Sequence, residues 1–367
     1  MVLRICMLIS LLVLVFTGKP YVPEVGKSVR PDLTVIATEE RDGYDCSHVE
    51  FTVPGTDGQE ERIKAYLLVP EGASGKHRHP AVLMLHDHGA RFDIGKEKLV
   101  RPMDSVLPMG KDDHINRSSR QWVDKNFDGV YMADSLAGQG YVVLVADAMY
   151  WGERSSSDAQ RWSQLAYGKT VDEMPDPKAR KDTLKALKNR VYEGQRILYD
   201  SLYARNVIWA EKILRDDVAS VKLLKSLPYV DKKKIGAFGF SMGAHRCWML
   251  AAFCRDVRCG VALSWMTTLD REERMKASDY SMAVMPMREQ MDFGDIGMFL
   301  APKPMLFLSG DEDHLFPEDR TRKAYEILRS HYSGHPQNLQ TAFFKGGHHC
   351  GKDVQAEIFR YFDTWLR

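Results

Sequence analysis

Residues Ile235–Leu250 read IGAFGFSMGAHRCWML. The first half is a short apolar run of strand type and the second half carries a helical pattern. Between them stands Gly239-Phe240-Ser241-Met242-Gly243. A G-x-S-x-G pentapeptide recurs by chance in many chains. Where it joins a strand directly to a helix, it marks a sharp, strained elbow that lifts the serine hydroxyl clear of a sheet. The two glycines are a steric requirement, because a Cβ at either position would strike the neighbouring strand or helix. The helix that follows aims its first N–H groups and the positive end of its dipole at the same spot. Ser241 is therefore the candidate nucleophile.

A serine hydroxyl is a poor nucleophile until a base takes its proton, and the base needs an orienting carboxylate. On an elbow of this kind the partners follow in the order acid, then histidine. Pro304–Ser309 reads as a strand and opens into Asp311-Glu312-Asp313-His314-Leu315-Phe316-Pro317. Leu339–Phe344 reads as the last strand and opens into Lys345-Gly346-Gly347-His348-His349. Asp313, deeper in its loop and ahead of the strand-stopping Pro317, is favoured as the acid. Asp311 is the alternative, one of the two carboxylates serving an Asx-type turn. Glu312 is read as solvated, and Asp270 after the preceding strand is a weaker candidate. His348, directly after the glycine pair, is preferred to His349 as the base.

A tetrahedral oxyanion needs two preorganised backbone donors. The Met242 N–H is one. The other is expected from His86-Asp87-His88-Gly89, the loop after the apolar run Ala81–Leu85, with the His88 N–H nominated and Asp87 close behind. A metal site at His86, Asp87 and His88 is the weaker reading, since adjacent residues at a strand end point opposite ways. No cofactor and no metal is expected.

Outward from the elbow, His48–Val53 and Arg62–Val69 flank a turn-rich stretch and read as an antiparallel hairpin. A polar loop is expected from the end of the Ala81–Leu85 strand through Arg120. A helix follows over Phe127–Ala137, a strand over Tyr141–Ala146, and a helical stretch from Leu184 to Leu227 with a break suggested at Gly194. The elbow comes next, then a strand over Cys259–Met266. Helices are expected over Glu318–Ser330 and Val354–Leu366. Strands alternating with helices after an antiparallel start call for an α/β fold. Its sheet is mostly parallel, of eight-stranded type, with helices on both faces. Catalytic groups then collect on loops at the carboxyl ends of the strands.

The chain has 367 residues, 44% hydrophobic and 28% charged, with a formal net charge of +1. That suits one large domain with ample core and shows no footprint for nucleic acid. Arg4 followed by the apolar Ile5–Phe16 has the pattern of a signal peptide over residues 1–18, too short for a comfortable membrane span. Phe16-Thr17-Gly18 lacks the small-x-small cleavage pattern, so an uncleaved anchor is the alternative. Either way the chain is expected to be exported, to the periplasm or outside the cell, with no other membrane contact. Residues 19–45 read as an irregular arm and 46–367 as a single domain with insertions at about 148–183 and 270–302. Cys46, Cys247, Cys254, Cys259 and Cys350 match no zinc spacing and read as buried small hydrophobes, with one disulfide as the alternative. Glu153 and Arg154 read as an ion pair or pocket wall. Met275, Met282, Met285, Met287, Met291 and Met298 read as adaptable lid packing.

The elbow GFSMG, the acid loop LSGDEDHLFP, the histidine loop FKGGHH and the strand end HDHGA resemble the α/β-hydrolase superfamily. HDHGARFDIGKEK, ADAMYWGER and FLAPKPMLFLSGDEDHLFP are similar to its dienelactone-hydrolase and acetyl xylan esterase-like branch, over roughly residues 30–367. The resemblance implies an α/β-hydrolase fold with Ser241 as nucleophile, Asp313 as acid and His348 as base. Met242 and the 86–88 loop would hold the oxyanion. It implies a serine esterase releasing short acyl groups such as acetyl from a polysaccharide or oligosaccharide. Dienelactone hydrolases proper carry a cysteine nucleophile, and the serine here favours ester over lactone chemistry. Asp87 stands where such loops usually have glycine. Rival readings on the same site are a uronate-ester esterase, with Arg91, Arg154 or Arg246 binding the carboxylate, and a serine peptidase. A catalytically silent binding module is the non-enzymatic rival, and the complete serine, acid and base set weighs against it.

Overall fold

A computed structural model of the chain describes residues 20–25, 32–103, 113–168, 174–270 and 279–367. The stretch read as a signal peptide and Met275 lie outside the described residues.

Nine strands form one sheet: β1 (Leu33–Arg41), β2 (Tyr44–Pro54), β3 (Glu60–Pro70), β4 (His79–Leu85), β5 (Val142–Ala146), β6 (Val230–Phe240), β7 (Cys259–Leu263), β8 (Met305–Gly310) and β9 (Leu339–Phe344). Their order is β1-β2-β3-β5-β4-β6-β7-β8-β9. The first three strands and the β3–β5 pair are antiparallel, and every pairing from β5 through β4 to β9 is parallel. The expected hairpin is β2–β3. The sheet has nine strands instead of the eight-stranded type because residues 33–41, expected to be irregular arm, form an edge strand on β2. Val35 and Ile36 on it remain about half exposed, which is why its apolar residues show no clean alternation. Among the described residues no helix is long and apolar enough to cross a membrane.

Among the described residues the α-helices are α1 (His114–Asn126), α2 (Met132–Gly138), α3 (Ser157–Tyr167), α4 (Pro177–Tyr203), α5 (Trp209–Ser226), α6 (Met242–Phe253), α7 (Met285–Gln290), α8 (Gly297–Leu300), α9 (Glu318–His331) and α10 (Lys352–Leu366). They cover the sheet on both faces, one core lying under α4, α5 and α6 and the other under α1, α2 and α10. Three expectations are corrected. The loop through Arg120 contains α1, whose buried face includes His114, Ser118 and Ser119. That face is held by hydrogen bonds to Asp93, Glu97 and Ser163, so the apolar period that reveals a helix is absent. The expected Phe127–Ala137 helix shortens to α2, because Asp128 and Gly129 turn the chain with positive φ. The long helical stretch breaks after Tyr203, at Asn206 with φ 57°, and not at Gly194. Asparagine tolerates the left-handed conformation that ends a helix. Gly194 stays helical, and a Cβ there would lie 2.5 Å from the Tyr150 hydroxyl, which donates to the Val191 carbonyl, so the close approach and not a helix break accounts for the glycine.

Candidate active site

Ser241 sits at the junction of β6 and α6 with φ 56° and ψ −123°, a conformation that costs a non-glycine residue about 1–3 kcal/mol. Its N–H extends the sheet by donating to Leu263 O (2.8 Å), and its carbonyl accepts from Ala244 and His245 to start the helix. A Cβ on Gly239 would come within 1.8 Å of Gly243 O, and one on Gly243 within 1.9 Å of Leu85 O. The elbow is thus pressed between its own helix and the carboxyl end of β4, which brings it beside the 86–89 loop. Although Ser241 occupies the N-cap, its side chain makes no capping bond. Its hydroxyl is left for other use, and the first-turn donors, the Met242 N–H among them, have no acceptor in the helix.

The acid and histidine loops are stitched together backbone to backbone. Asp311 N donates to Phe344 O (3.0 Å) and Glu312 N to Gly346 O (2.9 Å). A Cβ on Gly310 would lie 2.3 Å from Gly346 O, so only glycine allows this approach. Asp311 Oδ1 accepts the Gly346 N–H (2.8 Å), which ties its carboxylate to the loop. Asp313 is buried, accepts the Leu315 N–H at Oδ1 (2.9 Å) and meets His348 Nδ1 with Oδ2 at 2.7 Å. His348 packs 4.8 Å from the ring of Phe240, the residue before Ser241, and 5.8 Å from Phe316, ring centre to ring centre. His349 turns away and pairs with Asp128 (3.0 Å). Asp270 lies 3.7 Å from Arg320, and Glu312 is exposed. The sheet therefore gathers Ser241, His348 and Asp313 at one end and leaves His349, Asp311 and Asp270 with other partners.

The 86–89 loop is anchored by groups that the sequence reading did not place. Ala148 N donates to His86 Nε2 (3.0 Å), so the neutral ring carries its proton on Nδ1 and donates it to Asp87 O (2.9 Å). Ala90 N donates to His88 Nδ1 (3.0 Å), which puts that ring's proton on Nε2, facing the Gln195 amide at 3.5 Å. Arg246 pairs with Asp217 (2.7 Å) and also reaches His86 O. Behind the loop, Lys96 is fully buried between Asp147 (2.8 Å), Glu97 (2.9 Å) and Glu153 (2.8 Å). Glu153 and Arg154 are not partners of each other: Glu153 also takes His48 and Lys64, while Arg154 takes Asp216 and Glu61. Cys46, Cys247, Cys254, Cys259 and Cys350 are buried thiols. Trp265 is buried against His245, Trp248, Phe293 and Phe316.

Burial, followed by the nearby charges of Lys98 and Lys188, pushes His88 down to about 3; burial and then Arg246 push His86 well below its usual value. Both rings titrate near 6.5 once unfolded. The unfolded chain then binds more protons than the native one below that value, so stability is complete above about pH 6.5 and falls as pH drops toward 3. Urea midpoints should accordingly decline between pH 7.5 and 5, above the range of ordinary carboxylates, and His88→Gln should flatten the decline. A midpoint constant over that range would contradict the buried neutral rings.

A nine-stranded, mostly parallel sheet that presents a strained serine from a strand–helix elbow defines an α/β-hydrolase fold. The chain belongs to the dienelactone hydrolase family, whose model matches residues 121–350, and is an ester hydrolase. It is 23% identical over 313 residues to "Putative hydrolase YtaP" of Bacillus subtilis (strain 168), covering 83% of this chain and 84% of that one. Among solved structures it resembles a "putative acetyl xylan esterase" of Bacteroides fragilis NCTC 9343, with a TM-score of 0.58 and 18% identity, covering 88% of this chain and 71% of that one. A glucuronoyl esterase from Solibacter usitatus also has a TM-score of 0.58, at 11% identity over 95% of this chain and 89% of that one. These two likenesses are likenesses of fold.

Proposed function

We propose that the chain is a serine carboxylesterase that removes short acyl groups, acetyl above all, from a carbohydrate ester. The observation that carries the reading is the uncapped Ser241 elbow, with the Asp313–His348 pair packed against the residue before it. His348 takes the Ser241 proton as the oxygen attacks the ester carbonyl, and Asp313 stabilises the imidazolium. The oxyanion lies against the Met242 and His88 N–H groups. Collapse of the tetrahedral intermediate expels the alcohol, protonated by His348, and leaves an acyl-serine. Water, deprotonated by the same histidine, then releases the acid and restores Ser241.

Two features favour a small acyl group. Ser281 closes to 3.5 Å from the Met242 sulfur, and Trp265 and Phe316 fill the side toward His348. A partly open pocket beside α6 is lined by His245, Trp248, Met282, Met287 and Met291. The uronate reading loses its three expected cations, because Arg91, Arg154 and Arg246 are committed to Asp93, Asp216 and Asp217. The apolar segment near the amino terminus supports export of such an enzyme. An ester panel from acetyl to octanoyl, with acetylated xylan and methyl glucuronate, tests the reading. The expected result is highest kcat/KM on acetyl esters and release of acetate from the glycan. Turnover of methyl glucuronate alone would overturn it in favour of the uronate-ester reading.

A further inference from the structure

Lys98 closes the 3-10 turn Lys96–Lys98 and is wholly buried. Its ammonium donates to Asp87 O at 2.8 Å and to His88 O at 3.1 Å, and stands 5.3 Å from the centre of the Trp122 ring. A trans peptide holds its C=O and N–H antiparallel, so whatever grips the Asp87 carbonyl sets the direction of the His88 N–H. Asp87 O has two such donors on one side, Lys98 Nζ and His86 Nδ1. The next carbonyl, His88 O, is held by Lys98 and by Trp151 Nε1 at 3.1 Å. Buried N–H groups nearly always have a partner. The His88 N–H nonetheless donates to no acceptor among the described residues, although His88 is only 8% exposed.

Asp87 fits the same device. Its carboxylate is buried with neither oxygen hydrogen-bonded, and the cation it pairs with is Lys98, at 3.5 Å. Asp87 therefore supplies the charge that lets Lys98 stay buried beside the loop.

We propose that Lys98, charge-balanced by Asp87, is a positioning residue that aims the His88 N–H at the oxyanion. The proposal rests on the serine-esterase reading above. Lys98→Met should lower kcat about 100-fold with KM within about threefold, the size of effect seen when one oxyanion donor is lost. Affinity for an arylboronic acid, which forms a tetrahedral adduct on the serine, should fall by the same factor. A lysine that merely held the fold would lower the melting temperature without moving boronate affinity in step with kcat. The double variant Asp87→Asn with Lys98→Met removes the stranded carboxylate; it should melt near the wild type yet remain about 100-fold slow.

Either variant, folded and turning over within about threefold of the wild-type rate, overturns the proposal. Should both fail to fold, the wild-type enzyme decides. Carbonyl-13C aspartate with 15N-histidine selects the three Asp–His peptides of the chain, 87–88, 113–114 and 313–314. Asp113→Glu and His314→Gln identify the other two. Reaction with diethyl p-nitrophenyl phosphate should move the 87–88 amide proton downfield, and an unmoved signal overturns the proposal. If Ser241→Ala still turned over esters, it is the underlying reading that would fail, not the role of Lys98.

Discussion

Ser241→Ala is expected to reduce turnover of every ester by about a million-fold, the loss that follows removal of the nucleophile in serine hydrolases of this kind. The loss is chemical and not structural. The Ser241 hydroxyl does not cap α6, so alanine removes no bond that holds the elbow, and it keeps the strained backbone at φ 56°. The variant should melt within a degree or two of the wild type. It should also lose covalent labelling by a fluorophosphonate, which reacts only with an activated serine. Labelling that persists in the folded variant would place the nucleophile elsewhere and undo the assignment of all three residues.

Asp313→Asn should cost about ten-thousand-fold in kcat, for a reason that lies in the proton on the histidine. Asp313 Oδ2 accepts from His348 Nδ1 at 2.7 Å, which keeps Nε2 unprotonated and able to act as base. An asparagine can still accept the Leu315 N–H with its carbonyl oxygen. Its NH2 then faces Nδ1 and can only donate, so the ring's proton moves to Nε2 and the base is lost. Asp311→Asn is the matched control. Among the described residues Asp311 accepts only the Gly346 N–H, which an amide oxygen does equally well, so kcat should stay within a few-fold. Equal losses in the two variants would show that the loop, and not the His348 tautomer, is what matters.

What could be read directly were features whose cause is local. Of the glycine pair around Ser241, Gly239 is dictated by backbone packing within five residues, whereas Gly243 is dictated by Leu85 at the end of β4. The buried stretches of β4 to β8 announce themselves as apolar runs because both faces are covered. His348 meets Asp313 and His349 meets Asp128, although adjacent histidines differ by nothing that composition records. Helix α1 went unread because its buried face is polar, and β1 because part of its apolar surface stays in water.

The chain's own residues, taken in order, thus determined the elbow, the alternation of strands and helices, and the acid-then-histidine order of the loops. Each of these follows from periodicity and turn chemistry over a few positions. Tertiary structure alone decided which charges go inside. Lys96 and Lys98 belong to an ordinary-looking G-K-E-K run, yet both are buried. Lys96 meets Asp147, 51 positions away, and Lys98 meets the Asp87 and His88 carbonyls across the turn of the loop. A buried charge is tolerable only where partners converge on it from separate segments, and that convergence exists nowhere until the chain has folded.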